Sequence, residues 1–167
     1  MATVELLALD RQDWQRVAAD PTAFAARNTV TLGAEVEVVR AVAQQTIALL
    51  QRTGASPPWS GYLAADCALG IIVGTCGYTA PPDSDGVVEI AYFTFPANEG
   101  RGYASSMARG LVDRAIAAPE VHRICAHTLP EPNASTRILE KCGFAQTGDA
   151  MDPDAGPVWR WERTATR

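Results

Sequence analysis

Glu99-Gly100-Arg101-Gly102-Tyr103-Ala104 stands between a strand pattern and a helix pattern, and its reading decides the fold. Upstream, Val87-Val88-Glu89-Ile90-Ala91-Tyr92-Phe93-Thr94-Phe95 is rich in β-branched and aromatic residues, as a strand is. Downstream, Ala104, Met107, Ala108, Leu111, Val112, Ala115 and Ile116 recur at the spacing of one helix face. A Gly-x-Gly turn at the mouth of a helix lets bare backbone approach a ligand closely. The first helical N–H groups are unpaired, and the dipole makes that end positive. Strand, glycine turn and helix together predict a pocket for a phosphate or pyrophosphate. The pocket is not a Walker loop, because no Gly-Lys-Ser/Thr follows. Nor is it the dinucleotide fingerprint, because Ser105 stands where the third Gly belongs.

A second motif follows a short strand at 123–128. In Pro130-Glu131-Pro132-Asn133-Ala134-Ser135-Thr136-Arg137-Ile138-Leu139-Glu140-Lys141-Cys142-Gly143-Phe144 the prolines stop that strand. Asn133 is an N-cap and Gly143 a C′ residue, so a short helix spans 133–142. With both motifs in this order, the chain resembles the GCN5-related N-acetyltransferase (GNAT) superfamily. The resemblance is specific over 87–145 and compatible before it. Glu99 to Ala104 fits the superfamily's (Gln/Arg)-x-x-Gly-x-(Gly/Ala) signature with one departure, Glu99 in place of Gln or Arg. Asn133 and Ser135 followed by the Leu-Glu-Lys-x-Gly-Phe run are similar to the RimJ/RimL-like branch, which includes ribosomal-protein N-terminal acetyltransferases. A second departure is Leu139, where many members carry a Tyr that protonates the leaving thiolate.

The resemblance implies an α/β (α+β) GNAT fold over a single domain, 1–167. Its mixed central sheet has about six to seven strands with helices on both faces, splayed between the fourth and fifth strands. It implies an enzyme that moves an acetyl group from acetyl-CoA to a primary amine by direct attack in a ternary complex. A protein or peptide N-terminal α-amine leads; a small-molecule amine (antibiotic or polyamine) and a non-catalytic acyl-CoA-binding regulatory protein are the alternatives. Backbone N–H groups near Phe93, Thr94 and Phe95 would serve the oxyanion and the pantetheine arm. Gly100, Arg101, Gly102, Tyr103 and Ala104 would cradle the pyrophosphate. Asn133 would hold the pantetheine amide, and Arg101 and Arg109 would add charge. Arg137 would meet the adenosine 3′-phosphate, and Ser135 would give the leaving thiolate its proton. Glu99, if it faces the pyrophosphate, repels it unless the side chain turns away toward Arg101 or Arg109.

Acyl transfer also needs a base, because an ammonium has no lone pair. Glu89 is the candidate: it shares a strand face with Ala91 and Phe93, opposite Ile90 and Tyr92. An acid in an otherwise apolar strand is out of place by composition, and desolvation there favours proton uptake. The branch often carries a Glu at this position. Cys125 and Cys142 lie near the expected cleft, and a covalent acyl-Cys route would use one of them. Neither has a neighbouring base in sequence.

Composition sets outer bounds. A chain of 167 residues with 47% hydrophobic and 20% charged residues builds one globular core. No apolar run reaches a membrane span, and the acidic N-terminus lacks a signal-peptide pattern, so a cytoplasmic protein is expected. A net charge of −5 argues against nucleic acid and suits a cationic substrate such as an amine. Cys67, Cys76, Cys125 and Cys142 form no Cys-x-x-Cys pair, and His122 and His127 fall on opposite strand faces, so no metal is expected. Homodimers are common in the branch, and a dimer is among the expectations.

The remaining elements follow from periodicity. A strand is expected at 3–9, one or two helices over 10–26 broken at Asp20-Pro21, and a helix at 35–52 with Gly54 as its stop. Strands at 59–65 and 69–78 precede a hairpin loop at 81–86. Strands at 144–147 and 158–163 close the chain, with Trp159 and Trp161 on one face for core or subunit packing.

Overall fold

The computed structural model describes residues 2–166. The chain runs β1 (Glu5–Ala8), α1 (Arg11–Ala19), α2 (Pro21–Arg27), α3 (Val36–Thr53), β2 (Gly61–Asp66), β3 (Ile71–Tyr78), β4 (Val87–Thr94), α4 (Tyr103–Ala117), β5 (Arg123–Thr128), α5 (Ala134–Lys141), β6 (Ala145–Asp152) and β7 (Gly156–Thr164). One seven-stranded sheet has the order β1-β2-β3-β4-β5-β7-β6. Only β4 and β5 run parallel, and every other neighbouring pair is antiparallel. Among the described residues, no helix is long and apolar enough to cross a membrane.

Local chemistry accounts for most of these boundaries. Asp10 caps α1 by accepting from Asp13 N at 2.8 Å, and Asp20 both ends α1 and caps α2 with Pro21 next. Gly54 stops α3 in the left-handed region at φ 66°. Asn133 caps α5 in a reciprocal box with Thr136 at 3.0 Å each way.

Two cores flank the sheet. On one face Met107, Leu111 and Val112 of α4 pack on Val73, Val88, Ile90 and Ile124. On the other, Trp14, Val17, Val39, Ala43 and Leu50 from α1 and α3 cover Leu63, Ile72 and Phe95. The last hairpin is longer than its sequence pattern suggests. β6 reaches Asp152 rather than ending at 147, and β7 starts at Gly156 rather than 158. β6 is an edge strand with almost no buried side chain, so its polar, charged tip carries no alternation to read. Asp152 closes the turn by accepting from Asp154 N and Ala155 N at 2.8 Å each. Trp161 is core: its indole N–H donates to Thr128 Oγ1 at 2.9 Å, and Trp159 packs beside the same cluster.

Candidate active site

β4 and β5 pair only over Val87↔Arg123, Val88↔Ile124 and Glu89↔Cys125. Beyond that point β4 continues to Thr94 and β5 to Thr128 without pairing, so the sheet is open between them. Thr79 N donates to the Glu89 carbonyl at 3.1 Å, and Phe95 N donates to the Val73 carbonyl at 2.9 Å. Backbone groups alternate sides along a strand, so the odd-numbered residues of β4 face β3. Tyr92 and Thr94 consequently turn their N–H groups into the opening. Thr94 also brings a buried side-chain hydroxyl without a partner among the described residues. Such a group is costly to leave unpaired, which is what a ligand-binding edge looks like before its ligand arrives.

The opening continues into a cleft of about 450 Å³ that reaches the N-terminus of α4. Gly102 precedes α4 with φ 85° and offers no side-chain cap, and Gly100 has φ 74°. Both lie in the left-handed region that glycine takes at least cost. A Cβ at either would meet nothing within 4 Å, so the glycines serve backbone geometry rather than space. The first-turn N–H groups of Tyr103, Ala104 and Ser105 are left uncapped at a wall of this cleft. That is the physical requirement of an anion cradle, and it fits the diphosphate of a coenzyme A ester.

A second cavity of about 630 Å³ lies on the other face, between α3 and the strands β2, β3 and β4. Tyr92 and Phe93 line both cavities, so the two meet at the C-terminal half of β4. Glu89 lies at their side. Its Oε2 accepts from the Thr79 hydroxyl at 3.2 Å, and Thr79 lines the second cavity. Its Oε1 is 2.8 Å from His127 Nδ1. The Glu89 and His127 side chains are 33% and 22% exposed. The expectation that Glu89 is desolvated among apolar neighbours needs correction: its partners are polar and a third of it is open to solvent. His127 was not among the expected site residues. The parallel register that sets Glu89 beside Cys125 brings His127, two residues on, to the same face. Donation to the carboxylate fixes the neutral ring as the Nδ1–H tautomer, leaving Nε2 as the free lone pair.

The cleft holds two hydroxyls. Tyr92 and Ser135, the latter in the first turn of α5, both line it, and burial pushes the Tyr92 phenol up to about 12. Ser135 and Ile138 line the cleft, whereas Leu139 is fully buried core.

Other expected site residues fall elsewhere. Phe95 is fully buried and its N–H is already bonded to Val73, so it is not available to the acyl group. Phe93, by strand parity, also turns its N–H toward β3, while its exposed ring lines the cavities. Asn133 spends its side-chain oxygen capping Thr136 N, which leaves only its amide N–H₂ for a ligand. The Tyr103 hydroxyl donates to Asp66 Oδ2 at 2.7 Å, so Tyr103 brings backbone, not its side chain, to the cleft. Arg101 is exposed. Arg137 is exposed on α5. Glu99 is exposed at the cleft wall. Burial pushes Cys125 up to about 11 and Cys142 upward as well, so neither is a ready thiolate.

Comparison with known proteins agrees with this geometry. The acetyltransferase (GNAT) domain family matches residues 4–145, and the chain belongs to that family. An uncharacterized N-acetyltransferase, YjdG of Bacillus subtilis, is 34% identical over 73 residues, covering 44% of each protein. The chain thus spans under half the length of this curated relative. The fold is similar throughout to a spermidine N-acetyltransferase SpeG chimera from Vibrio cholerae and hSSAT, with TM-score 0.67, 16% identity and 98% and 96% of the two chains covered. It is likewise similar to RimL, a ribosomal L7/L12 α-N-protein acetyltransferase solved with coenzyme A, with TM-score 0.65, 18% identity and 98% and 95% covered.

Proposed function

We propose that the protein is an N-acetyltransferase that carries an acetyl group from acetyl-CoA to a primary amine in a ternary complex. The observation that carries this reading is the junction of two cavities at Tyr92 and Phe93, one ending at an uncapped helix N-terminus and the other passing Glu89 through Thr79. The amine enters from the α3 side and the thioester from the α4 side. The Glu89–His127 pair takes a proton from the ammonium, and the freed nitrogen attacks the thioester carbonyl. The oxyanion falls beside the Thr94 N–H and hydroxyl on the open edge of β4. The C–N bond forms and the C–S bond breaks. The thiolate takes a proton from solvent passed in through Ser135 and Tyr92, and the two protons lost by the nitrogen leave in turn through Glu89 to solvent, so one proton is released net. The products are an N-acetyl amine and CoA thiol.

A peptide α-amine is the lead acceptor, from Asn133 and Ser135 at the start of α5 and the Leu-Glu-Lys-x-Gly-Phe run that follows. A small-molecule amine is the second reading, favoured by an acceptor cavity of about 630 Å³, which holds a whole small molecule. Four free cysteines fit a reducing, cytoplasmic setting. Thermal unfolding with and without acetyl-CoA tests the acyl-donor site. At about 100 times Kd, binding to the folded state adds about 2.7 kcal/mol. An upward shift in Tm, followed by amine-dependent thiol release, supports the enzyme. No shift with acetyl-CoA or a longer acyl-CoA removes it.

A further inference from the structure

The acceptor cavity has a chemistry of its own. Its α3 wall presents Val38, Val42 and Leu49 with the amide of Gln45, and its sheet wall presents Ala91 and Phe93. Among the described residues that line it, none carries a charge. Away from Tyr92, its hydroxyl protons are already spent inside the protein. Thr46 donates to the Val42 carbonyl at 2.8 Å, Thr75 to the Tyr62 carbonyl at 3.0 Å, and Tyr78 to the Leu111 carbonyl at 2.6 Å. Thr79 donates to Glu89, whose carboxylate is the acid this wall leads to. The register that sets Gly77 opposite Ala91 keeps side chains on the floor small and gives the cavity its depth.

We infer that the acceptor is a monoamine: one primary ammonium at the Glu89 end, carried on an apolar aliphatic or aromatic body that packs against α3. This rests on the acetyltransferase reading and narrows its substrate. One carboxylate at one end matches one positive charge. A polyamine would leave its remaining ammonium groups against Val38, Val42 and Leu49 with no counter-charge, and an uncompensated charge in an apolar wall is heavily penalised. The apolar body instead gains by leaving water. The same chemistry comes from a free arylalkylamine or from a peptide whose first residue is large and apolar.

Calorimetric titrations, each with and without saturating CoA, decide it. The probes are 2-phenylethylamine, a Phe-initiated tripeptide amide and spermidine. The expected result is that one or both aromatic amines bind at least about tenfold tighter than spermidine. Tight binding of only the free amine or only the peptide identifies the source. Gln45→Glu keeps the shape of an exposed residue while adding a carboxylate to the wall. It is expected to weaken the aromatic amines and tighten spermidine, about tenfold between them. Spermidine binding as tightly as the aromatic amines to the unaltered protein overturns the inference, as does a failure of both aromatic amines to bind. Thiol release with spermidine as the preferred acceptor would leave the acetyltransferase standing and this inference lost. Failure to bind acetyl-CoA overturns the acetyltransferase, while the titrations without CoA still read the amine preference.

Discussion

Glu89 Oε1 and His127 Nδ1 lie 2.8 Å apart, joining residues 38 positions apart in the chain across the last paired rung of β4 and β5. This pair sits where the sheet begins to open, beside the acceptor cavity. Two side chains this close hold each other in place, so removing either is expected to disturb the same step.

Glu89→Gln keeps the shape and removes the base. It is expected to lower kcat by about 100-fold or more while leaving the acetyl-CoA thermal shift in place. His127→Ala is expected to lower kcat less, roughly tenfold. Unchanged turnover in Glu89→Gln would take the carboxylate out of the reaction.

Tyr92 and Ser135 line the same cleft and act on the same leaving sulfur in our reading. Tyr92→Phe and Ser135→Ala are each expected to cost roughly tenfold in kcat, with the double variant little worse than either. A fast acyl donor such as a p-nitrophenyl ester, whose leaving group needs no proton, should restore both. Full additivity, or no rescue, would separate the two hydroxyls from the thiolate.

Cys125, pushed up to about 11 by burial, stays protonated at neutral pH. Initial-rate plots against both substrates are therefore expected to intersect, as for a ternary complex. Brief iodoacetamide treatment at neutral pH should leave activity intact. Parallel lines together with a trapped acetyl-thioester would instead establish the covalent route.

Burial raises Cys76 from 9.0 to about 12, Cys125 from 9.0 to about 11 and Tyr92 from 10.0 to about 12. Each folded-state value lies above its unfolded one, so the folded chain keeps protons that the unfolded chain releases. The stabilisation is complete below about pH 9 and is lost as pH rises through 9 toward 12. Tm is expected to fall steadily over that window, and Cys125→Ser should flatten the slope. A Tm that holds level from about pH 9 to 11 contradicts the assignment of these buried acids.

Legibility followed the range of the interactions. Gly100, Gly102 and the periodic face of α4 were readable because backbone conformation and helix amphipathicity are written in neighbouring residues. Gly54, Asp20-Pro21 and Asn133 marked helix ends for the same reason. The β6 extension was not readable, because an edge strand with exposed side chains has no buried face to impose alternation. α3 shows a subtler case. Val39, Ala43 and Leu50 form its core stripe, while Val38, Val42 and Leu49 form a second apolar stripe that faces a cavity instead of protein.

By itself the sequence determined the order of elements, the anion-binding turn before α4, and an acid out of place in β4. Each depends on local conformational preference or on composition within a few residues. The tertiary structure decided what those parts meet. The parallel register placed His127 on Glu89, and strand parity withdrew Phe95 from the site. The gap between β4 and β5 brought Tyr92 and Ser135 to one cleft, and the packing of α3 over Gly77 and Ala91 made an uncharged acceptor cavity. Those relationships arise from pairing and packing between residues far apart in the chain, and no local pattern encodes a register.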